Sequence, residues 1–180
     1  MLDALTDDHI NHYRKQGYVA VEGFIDGEEL ETWRRVTDGA VAERLASAEE
    51  LTNQKKDEDP SYYSRVFVQC IRLADTNDEI RGLIYDERIG RIAATLEGID
   101  GIRVWHDQAL IKQPYGNPTG WHLDNPYWSF SSRNAISIWI ALDDATLENG
   151  CLWAVPGSHK AGVERHFVRN EAGTGTTFEP

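Results

Sequence analysis

The sequence predicts an α+β protein in which helices pack outside a sandwich or barrel of short strands. Three observations support this prediction. Most of residues 1–97 carry helix caps and apolar positions at helical spacing. After Gly98, short alternating runs are separated by turn residues. The second half also lacks the alternation of strands with helices of about 10–15 residues that is typical of parallel βαβ sheets.

Capping residues place the helices of the first half. Thr6 can cap a helix that ends at Gly17. Asp26 and Glu29 have the spacing of a capping box, and the helix that they begin should end before Leu51. Helical spacing of apolar residues predicts the buried positions of this helix and of one or two helices between residues 75 and 96: Leu30, Trp33, Val36, Thr37, Ala40, Val41, Ile80, Leu83, Ile84, Ile89, Ile92 and Leu96.

Alternating and β-prone runs predict the strands. The predicted strands cover residues 18–21, 102–111, 121–124, 134–142 and 151–155, and residues 148–150 predict a hairpin turn. Within residues 134–142, Ser137, Trp139 and Ala141 should face one side, opposite four aliphatic residues. Residues 55–60 are polar and charged, which is typical of a solvated loop.

Composition excludes several classes of protein. The 180 residues include 18 Lys and Arg against 30 Asp and Glu, a net charge of −12 that argues against binding to nucleic acid or to anionic membranes. No apolar run approaches the roughly 20 residues of a membrane span, and the amino terminus does not resemble a secretory signal. Cys70 and Cys151 are too few for a disulfide framework, so we expect reduced thiols in a cytoplasmic protein formed by a single domain, residues 1–180.

His122 and Asp124 form the most informative motif. Residues two apart on a strand point to the same side, so the imidazole and the carboxylate should project together. With a second His, such a pair forms the facial triad of non-haem Fe(II) oxygenases. A His-x-Asp triplet is frequent by chance, and its spacing alone is also compatible with a partly exposed His near a surface Asp.

This motif lies within one of five ordered blocks. They occur in the order HDQALIK at 106–112, WHLDNPYW at 121–128, IWIALDD at 138–144, ENGCL at 148–152 and PGSHK at 156–160. Together they resemble the phytanoyl-CoA dioxygenase family of Fe(II)/2-oxoglutarate-dependent oxygenases. The run YRKQGYVAVEGF at 13–24 resembles the family's opening helix and strand, so the resemblance covers most of residues 5–162.

The resemblance implies a double-stranded β-helix, which is a jelly-roll and cupin-like fold with buttressing helices, and it implies a site. His122 and Asp124 would be the first two iron ligands, and Gln108, Lys112 and Trp139 would line the 2-oxoglutarate pocket. Lys112 is also compatible with a surface position and Trp139 with a place in the core. Aromatic residues would roof the cavity near the substrate: Trp121, Tyr127 and Trp128, with Phe130. His159 in the PGSHK turn is interpreted as structural.

The family pattern also needs a distal His and an Arg that pairs with 2-oxoglutarate. Neither is found at the usual spacing, and His166 is the available candidate for the third ligand. We consider a truncated product that lacks the last strands, a site completed by another copy or a partner, and an inactive remnant. Unpaired strand edges would favour a homo-oligomer.

The resemblance implies an Fe(II)- and 2-oxoglutarate-dependent dioxygenase that uses O₂ to hydroxylate a small organic substrate at a C–H bond. Two alternatives remain open. One is a non-catalytic jelly-roll module that binds a small molecule in the aromatic cavity, and the other is a cupin-type metal enzyme with a different ligand set.

Overall fold

The structure of the chain, a computed structural model, describes residues 2, 4–47, 51–54, 62–130, 132, 134–160, 167–169 and 176–178. Helix α1, Asp7–Gln16, has the predicted boundaries. Thr6 accepts a hydrogen bond from the backbone N–H of His9, and the His9 side chain accepts one from the backbone of Thr6. The helix ends at Gly17, whose φ of +85° is the left-handed conformation that glycine adopts readily.

Helix α2, Gly27–Ser47, begins at the predicted capping box. The Glu29 backbone N–H donates to Asp26 Oδ1 over 2.9 Å, and the Asp26 backbone N–H points back to Glu29 Oε2 at 3.5 Å. The helix ends before Leu51, as predicted. Four of the six predicted core positions are buried, and Leu30 and Thr37 are half-buried.

Residues 75–96 form two helices, α3 (Asp78–Ile84) and α4 (Glu87–Glu97). Asn77 caps α3 and Asp86 caps α4, because each side chain accepts a hydrogen bond from a backbone N–H of the first turn. Five apolar or small residues of α4 are buried, namely Ile89, Ile92, Ala93, Ala94 and Leu96. The cap at Asp86 therefore explains why the apolar pattern breaks into two helices.

An antiparallel strand pair lies against these helices. It joins β1 (Val68–Ile71), which the sequence analysis missed, to β2 (Gln108–Ile111), which is shorter than the predicted strand over residues 102–111. Pairing does not extend further because the chain leaves β1 at Arg72, whose φ is +56°. The Asp107 carboxylate then accepts hydrogen bonds from the backbone N–H groups of Leu73 and Ala74, which open a short 3₁₀ helix over Leu73–Asp75.

The register of the strand pair assigns its two faces. Val68 and Cys70, with Ala109 and Ile111 opposite them, pack against the helical core. The other face carries four residues, Gln69, Ile71, Gln108 and Leu110, and points away from the helices. This face thus combines two glutamines with two aliphatic residues, and one of the glutamines, Gln108, is a predicted site residue.

One charged side chain lies in the core. Arg44 of α2 is only 4% exposed. Its guanidinium donates to the carbonyls of Ile71 and Arg72 over 2.6 and 3.2 Å and to the hydroxyl of Thr76 over 2.7 Å. These bonds compensate for the loss of hydration and join α2 to the end of β1.

The second half of the chain differs from the predicted strands. Residues 18–21, 121–124, 134–142 and 151–155 have no ladder partner within the described residues, although residues 147–150 form the predicted turn with Gly150 at a φ of +88°. Residues 167–169 and 176–178 pair as the antiparallel strands β3 (Phe167–Arg169) and β4 (Thr176–Phe178). The predicted loop over residues 55–60 lies outside the described residues.

The position of the core also differs from the expectation of a mainly β core. Every fully buried residue of the described chain lies before residue 97, on α2, α3, α4, β1 and the turns beside them. Many apolar side chains after β2 are exposed, among them Trp121, Ile138, Trp139, Leu147, Leu152 and Trp153, and no paired sheet covers them within the described residues. The described helices include none that is long and apolar enough to cross a membrane.

Candidate metal centre

The structure brings His122 and Asp124 together. His122 Nε2 is 3.3 Å from Asp124 Oδ1. The backbone that achieves this is a turn and not the predicted strand, because Asp124 has helical dihedral angles and precedes a 3₁₀ helix over Asn125–Tyr127. Pro126 favours this turn since its ring fixes φ near the helical value.

Hydrogen bonds hold both side chains in place. His122 Nδ1 lies 2.8 Å from the Gly120 carbonyl, so Nδ1 carries a hydrogen and donates it. The Ser137 hydroxyl donates to Asp124 Oδ2 over 3.2 Å. The hydrogen bond with Asp124 raises the pKa of His122 above its usual value against the effect of partial burial, and the same bond lowers the pKa of Asp124. Both ring nitrogens therefore donate in this pair, so His122 is protonated where it bonds the ionised carboxylate, and a metal ion would replace the Nε2 hydrogen.

This arrangement fits a divalent metal ion. A metal-binding His commonly donates its other ring N–H to a backbone carbonyl, which is what His122 does towards Gly120. The two side chains are 43% and 49% exposed, so a cation can reach Nε2 and the carboxylate. Within the part of the chain that the structure describes, no group of three or more His, Cys, Asp or Glu could hold a metal. His166, the predicted third ligand, lies outside the described residues.

Gln108 lies on the face of the strand pair that points away from the helices. Its Oε1 accepts a hydrogen bond of 2.8 Å from Gln69 Nε2, and Gln69 Oε1 accepts one of 3.1 Å from the Tyr63 hydroxyl. Because the Gln108 Oε1 faces Gln69, the Gln108 amide N–H groups point away from Gln69 and can donate to another group. Sequence reasoning missed Gln69 and Tyr63, because neither belongs to the blocks that resemble the family and β1 was not predicted.

The Lys112 side chain has different hydrogen-bond partners from the Gln108 side chain. Lys112 follows the last residue of β2, and its ammonium donates to the Asn117 carbonyl over 2.5 Å. Its side chain also lies 3.4 Å from the position that a Cβ on Gly150 would occupy. Lys112 thus joins residues 113–120 to the turn at residues 147–150.

Ser137 and Trp139 lie two residues apart in the segment 134–142, which has no ladder bonds within the described residues. The Ser137 hydroxyl contacts Asp124, and Trp139 is 47% exposed. That the two side chains share one face of this segment stays a prediction of the alternation. Ser137 was not predicted as a site residue, but the same alternation groups it with Trp139 and would have pointed to it.

The three aromatic residues that were predicted to contact substrate have different surroundings. Trp128 stacks on Phe130 with ring centroids 5.1 Å apart, and Phe130 meets the edge of Trp105 at 5.3 Å. Trp121 and Tyr127 are 50% and 56% exposed. Of the three, Trp128 therefore belongs to a packed aromatic cluster, while the other two lie open beside the His–Asp pair in the chain.

His159 contacts the amino-terminal helix. A Cβ built on Gly17 would lie 2.3 Å from His159 Nδ1, so the imidazole occupies the space that the glycine leaves free. Gly157 N–H donates to the Gln16 carbonyl over 2.7 Å, and Lys160 Nζ donates to the Lys15 carbonyl over 3.1 Å. The PGSHK turn thus covers the carboxyl end of α1, in agreement with a structural role for His159.

The fold is similar to that of a solved enzyme. The crystal structure of the non-heme alpha ketoglutarate dependent carbocyclase SnoK from nogalamycin biosynthesis matches 89% of this chain and 60% of its own length, with a TM-score of 0.70 and 25% sequence identity. The chain thus spans about 60% of that protein. This likeness is consistent with a cupin-like protein of the class that includes non-haem, 2-oxoglutarate-dependent enzymes.

Sequence comparison identifies the family within this class. The family model for phytanoyl-CoA dioxygenase (PhyH) matches residues 13–177, and the chain belongs to this family. A phytanoyl-CoA dioxygenase of Arabidopsis thaliana is 26% identical, over 98% of this chain and 72% of its own length. A phytanoyl-CoA dioxygenase domain-containing protein 1 of Bos taurus is 29% identical, over 97% and 73%. The family and these relatives point to a dioxygenase.

Proposed function

We propose that this chain is an Fe(II)- and 2-oxoglutarate-dependent dioxygenase that uses O₂ to hydroxylate a small organic substrate at a C–H bond. The observation that carries the proposal is the His122–Asp124 pair, whose Nε2 and Oδ1 lie 3.3 Å apart on a chain of this family. A histidine nitrogen and a carboxylate oxygen, both accessible, are two of the three ligands of the facial triad. The third ligand would come from residues outside the described part, with His166 as the candidate.

In this proposal the chain's own residues prepare the site. His122 and Asp124 would hold the iron, which when bound supplies the oxidising chemistry that 2-oxoglutarate and O₂ make possible. Gly120 fixes the tautomer and the plane of the His122 ring, and Ser137 fixes the rotamer of Asp124. Both side chains would keep their positions when the metal enters, and His122 would release the Nε2 hydrogen that it shares with Asp124.

The co-substrate and the substrate would lie beside this pair. Gln108 offers amide N–H donors and Trp139 an apolar surface for 2-oxoglutarate, while Lys112 would first have to leave the Asn117 carbonyl. Trp121, Tyr127 and Trp128 would contact the substrate. The net charge of −12 disfavours a polyanionic substrate, so a small polar or amphipathic molecule suits the site better.

The test is metal binding and turnover in an anaerobically prepared protein. With Fe(II), 2-oxoglutarate and then O₂, the wild-type chain should form succinate, and it should bind Mn(II), a redox-stable substitute for Fe(II), in calorimetry. His122→Ala and Asp124→Ala should each abolish both properties. His12→Ala and Asp38→Ala are matched controls on exposed positions of α1 and α2, and they should change neither.

Two results would overturn the proposal. Succinate formation that survives both ligand substitutions would mean that the metal is held elsewhere. A wild-type chain that binds neither Mn(II) nor 2-oxoglutarate would instead indicate a non-catalytic module.

A further inference from the structure

Asn117 joins the segment that leads to the His–Asp pair to the segment that leads into β1. Its backbone N–H donates to the Arg65 carbonyl over 2.8 Å, and its side-chain Nδ2 donates to the Tyr62 carbonyl over 3.1 Å. Its own carbonyl accepts the hydrogen bond from Lys112. Asn117 thus makes two bonds to residues 62–66 and one to Lys112.

Two neighbouring contacts strengthen this junction. The Tyr62 hydroxyl donates to the Pro118 carbonyl over 3.1 Å. At Gly116, an added Cβ would lie 3.0 Å from the Val66 carbonyl oxygen and 3.2 Å from that of Arg65, so the two backbones lie close together and a larger residue would require them to shift. Val66, which is 2% exposed, anchors residues 62–66 in the core. Residues 113–120 are therefore attached to a buried part of the fold.

The junction lies close in sequence to the imidazole. Gly120, three residues after Asn117, provides the carbonyl that accepts the hydrogen bond from His122 Nδ1. Pro118 lies between them and restricts the backbone through its fixed φ. Few backbone torsions remain between the attachment point and the carbonyl that orients the ring.

We infer that Asn117 is a positioning residue for the metal centre, an inference that rests on the proposed function. It acts through the backbone: by attaching residues 113–120 to residues 62–66, it fixes the Gly120 carbonyl and hence the His122 ring. An asparagine suits this position because its backbone and side-chain N–H groups both reach acceptor carbonyls, at Arg65 and Tyr62. An aspartate would direct an acceptor at the Tyr62 carbonyl instead.

The matched control is Asn53, which attaches a different segment to the same stretch of chain. Its Nδ2 donates to the Phe67 carbonyl over 2.9 Å, and its Oδ1 accepts a hydrogen bond of 2.9 Å from the Gln69 backbone. Asn53→Ala therefore removes side-chain-to-backbone bonds of the same kind without affecting residues 113–120. Asn117→Ala removes one side-chain bond and Asn53→Ala removes more, so Asn53→Ala should lower the stability of the chain at least as much.

The two variants should differ at the metal centre. Asn117→Ala and Asn117→Asp should weaken Mn(II) binding about tenfold, the lower end of the effect expected for groups that orient a metal ligand, whereas Asn53→Ala should leave it unchanged. In the metal-free protein, NMR of the His122 ring should show faster exchange of the Nδ1 hydrogen in the Asn117 variants only. Tyr62→Phe removes only the hydroxyl bond to Pro118, so it should also weaken Mn(II) binding, by a few-fold. This variant keeps the inference testable if an Asn117 variant fails to fold.

The two readouts separate this inference from the proposed function. A wild-type chain that binds no Mn(II) contradicts the proposed function, while the ring signal in metal-free protein still decides whether Asn117 orients His122. Equal effects of Asn117→Ala and Asn53→Ala on both readouts would show that Asn117 contributes only to stability, and the inference would then be rejected.

Discussion

Ser137 donates its hydroxyl hydrogen to Asp124 Oδ2 over 3.2 Å from a segment thirteen residues further along the chain. This bond uses the carboxylate oxygen that does not face His122, since Oδ1 is the one 3.3 Å from the imidazole. Each oxygen of Asp124 thus has its own partner. The carboxylate is oriented before any metal ion arrives.

The first prediction concerns this hydroxyl. Ser137→Ala should weaken Mn(II) binding by a factor of about 10, because the freed carboxylate must lose rotamer freedom on binding the metal. Calorimetric titration of the metal-free protein measures the effect. Ser47→Ala removes a hydroxyl bond to the Glu43 carbonyl on α2 and serves as the control. Equal affinities in the two variants would show that Ser137 does not orient Asp124 for metal binding.

The elements that could be predicted from the sequence are those whose signals are local. Thr6 and Gly17 define α1 because a cap interacts with backbone groups within one turn. Strand β1 was missed because only four residues form it, and its partner β2 follows after residues 72–107. Ladder bonds depend on such distant segments, and this also explains why the predicted strand over residues 102–111 shortens.

The candidate site shows the same difference between features with local signals and features that depend on distant segments. The contact between His122 and Asp124 follows from their spacing, although a turn and not a strand produces it. The hydrogen bonds of Asn117 and Ser137 join segments that are far apart in the sequence, so no local pattern predicts these bonds. Lys112 lies one residue beyond the end of β2, so the strand pairing does not determine the direction of its side chain, and its place in the 2-oxoglutarate pocket stays a prediction.

The second prediction concerns pH and the cap of α4. Hydrogen bonds from Arg88 lower the pKa of Asp86 below its ordinary value of 3.8. A carboxyl group with a lowered pKa in the folded state stabilises the protein above the pKa of the unfolded chain, and this stabilisation is lost as the pH falls through the folded pKa. Asp86→Asn keeps a side chain that can cap the helix but removes the charge. This substitution should lower the free energy of unfolding by about 1 kcal/mol at pH 7, a small effect because the ion pair between Asp86 and Arg88 lies near the surface.

The difference in the free energy of unfolding between wild type and Asp86→Asn should shrink as the pH falls below about 4, where an unperturbed Asp titrates. Urea unfolding at pH 7 and pH 3 measures the two free energies. Asp38→Asn, on an exposed position of α2, controls for the change in net charge. A difference that stays constant between the two pH values would contradict the assignment of the effect to the ionised carboxylate.

The third prediction concerns the buried Arg44. Arg44→Met keeps much of the volume but leaves the carbonyls of Ile71 and Arg72 and the hydroxyl of Thr76 without their donor. We expect a loss of about 2–4 kcal/mol in the free energy of unfolding, because several buried polar groups lose their partner together. Urea unfolding monitored by circular dichroism measures it.

Arg91→Met is the control for Arg44→Met, since Arg91 is exposed on α4 and its replacement should cost less than about 0.5 kcal/mol. Arg44→Lys should also destabilise the chain, because a single ammonium cannot reproduce the fork of the guanidinium. Similar stabilities for the Arg44 and Arg91 variants would show that the three acceptors find water or other donors.

The fourth prediction tests whether the PGSHK turn is docked on α1. Gly17→Ala introduces two costs, the left-handed φ of +85° and a Cβ that would lie 2.3 Å from His159 Nδ1. The φ alone should cost about 1 kcal/mol. In a His159→Ala background the clash disappears, so the same glycine substitution should cost less than it does in the wild-type chain. Urea unfolding of the wild type, the two single variants and the double variant gives the coupling energy between the two positions.

His159→Ala should leave Mn(II) affinity unchanged, because His159 contacts the carboxyl end of α1 and is not grouped with other metal-binding side chains within the described residues. A zero coupling energy would show that the turn is not docked on α1 in solution. A loss of metal affinity in His159→Ala, with stability retained, would make His159 a candidate ligand and would contradict its structural role. The coupling energy and the titration together decide between a histidine that packs against a helix end and one that completes the metal centre.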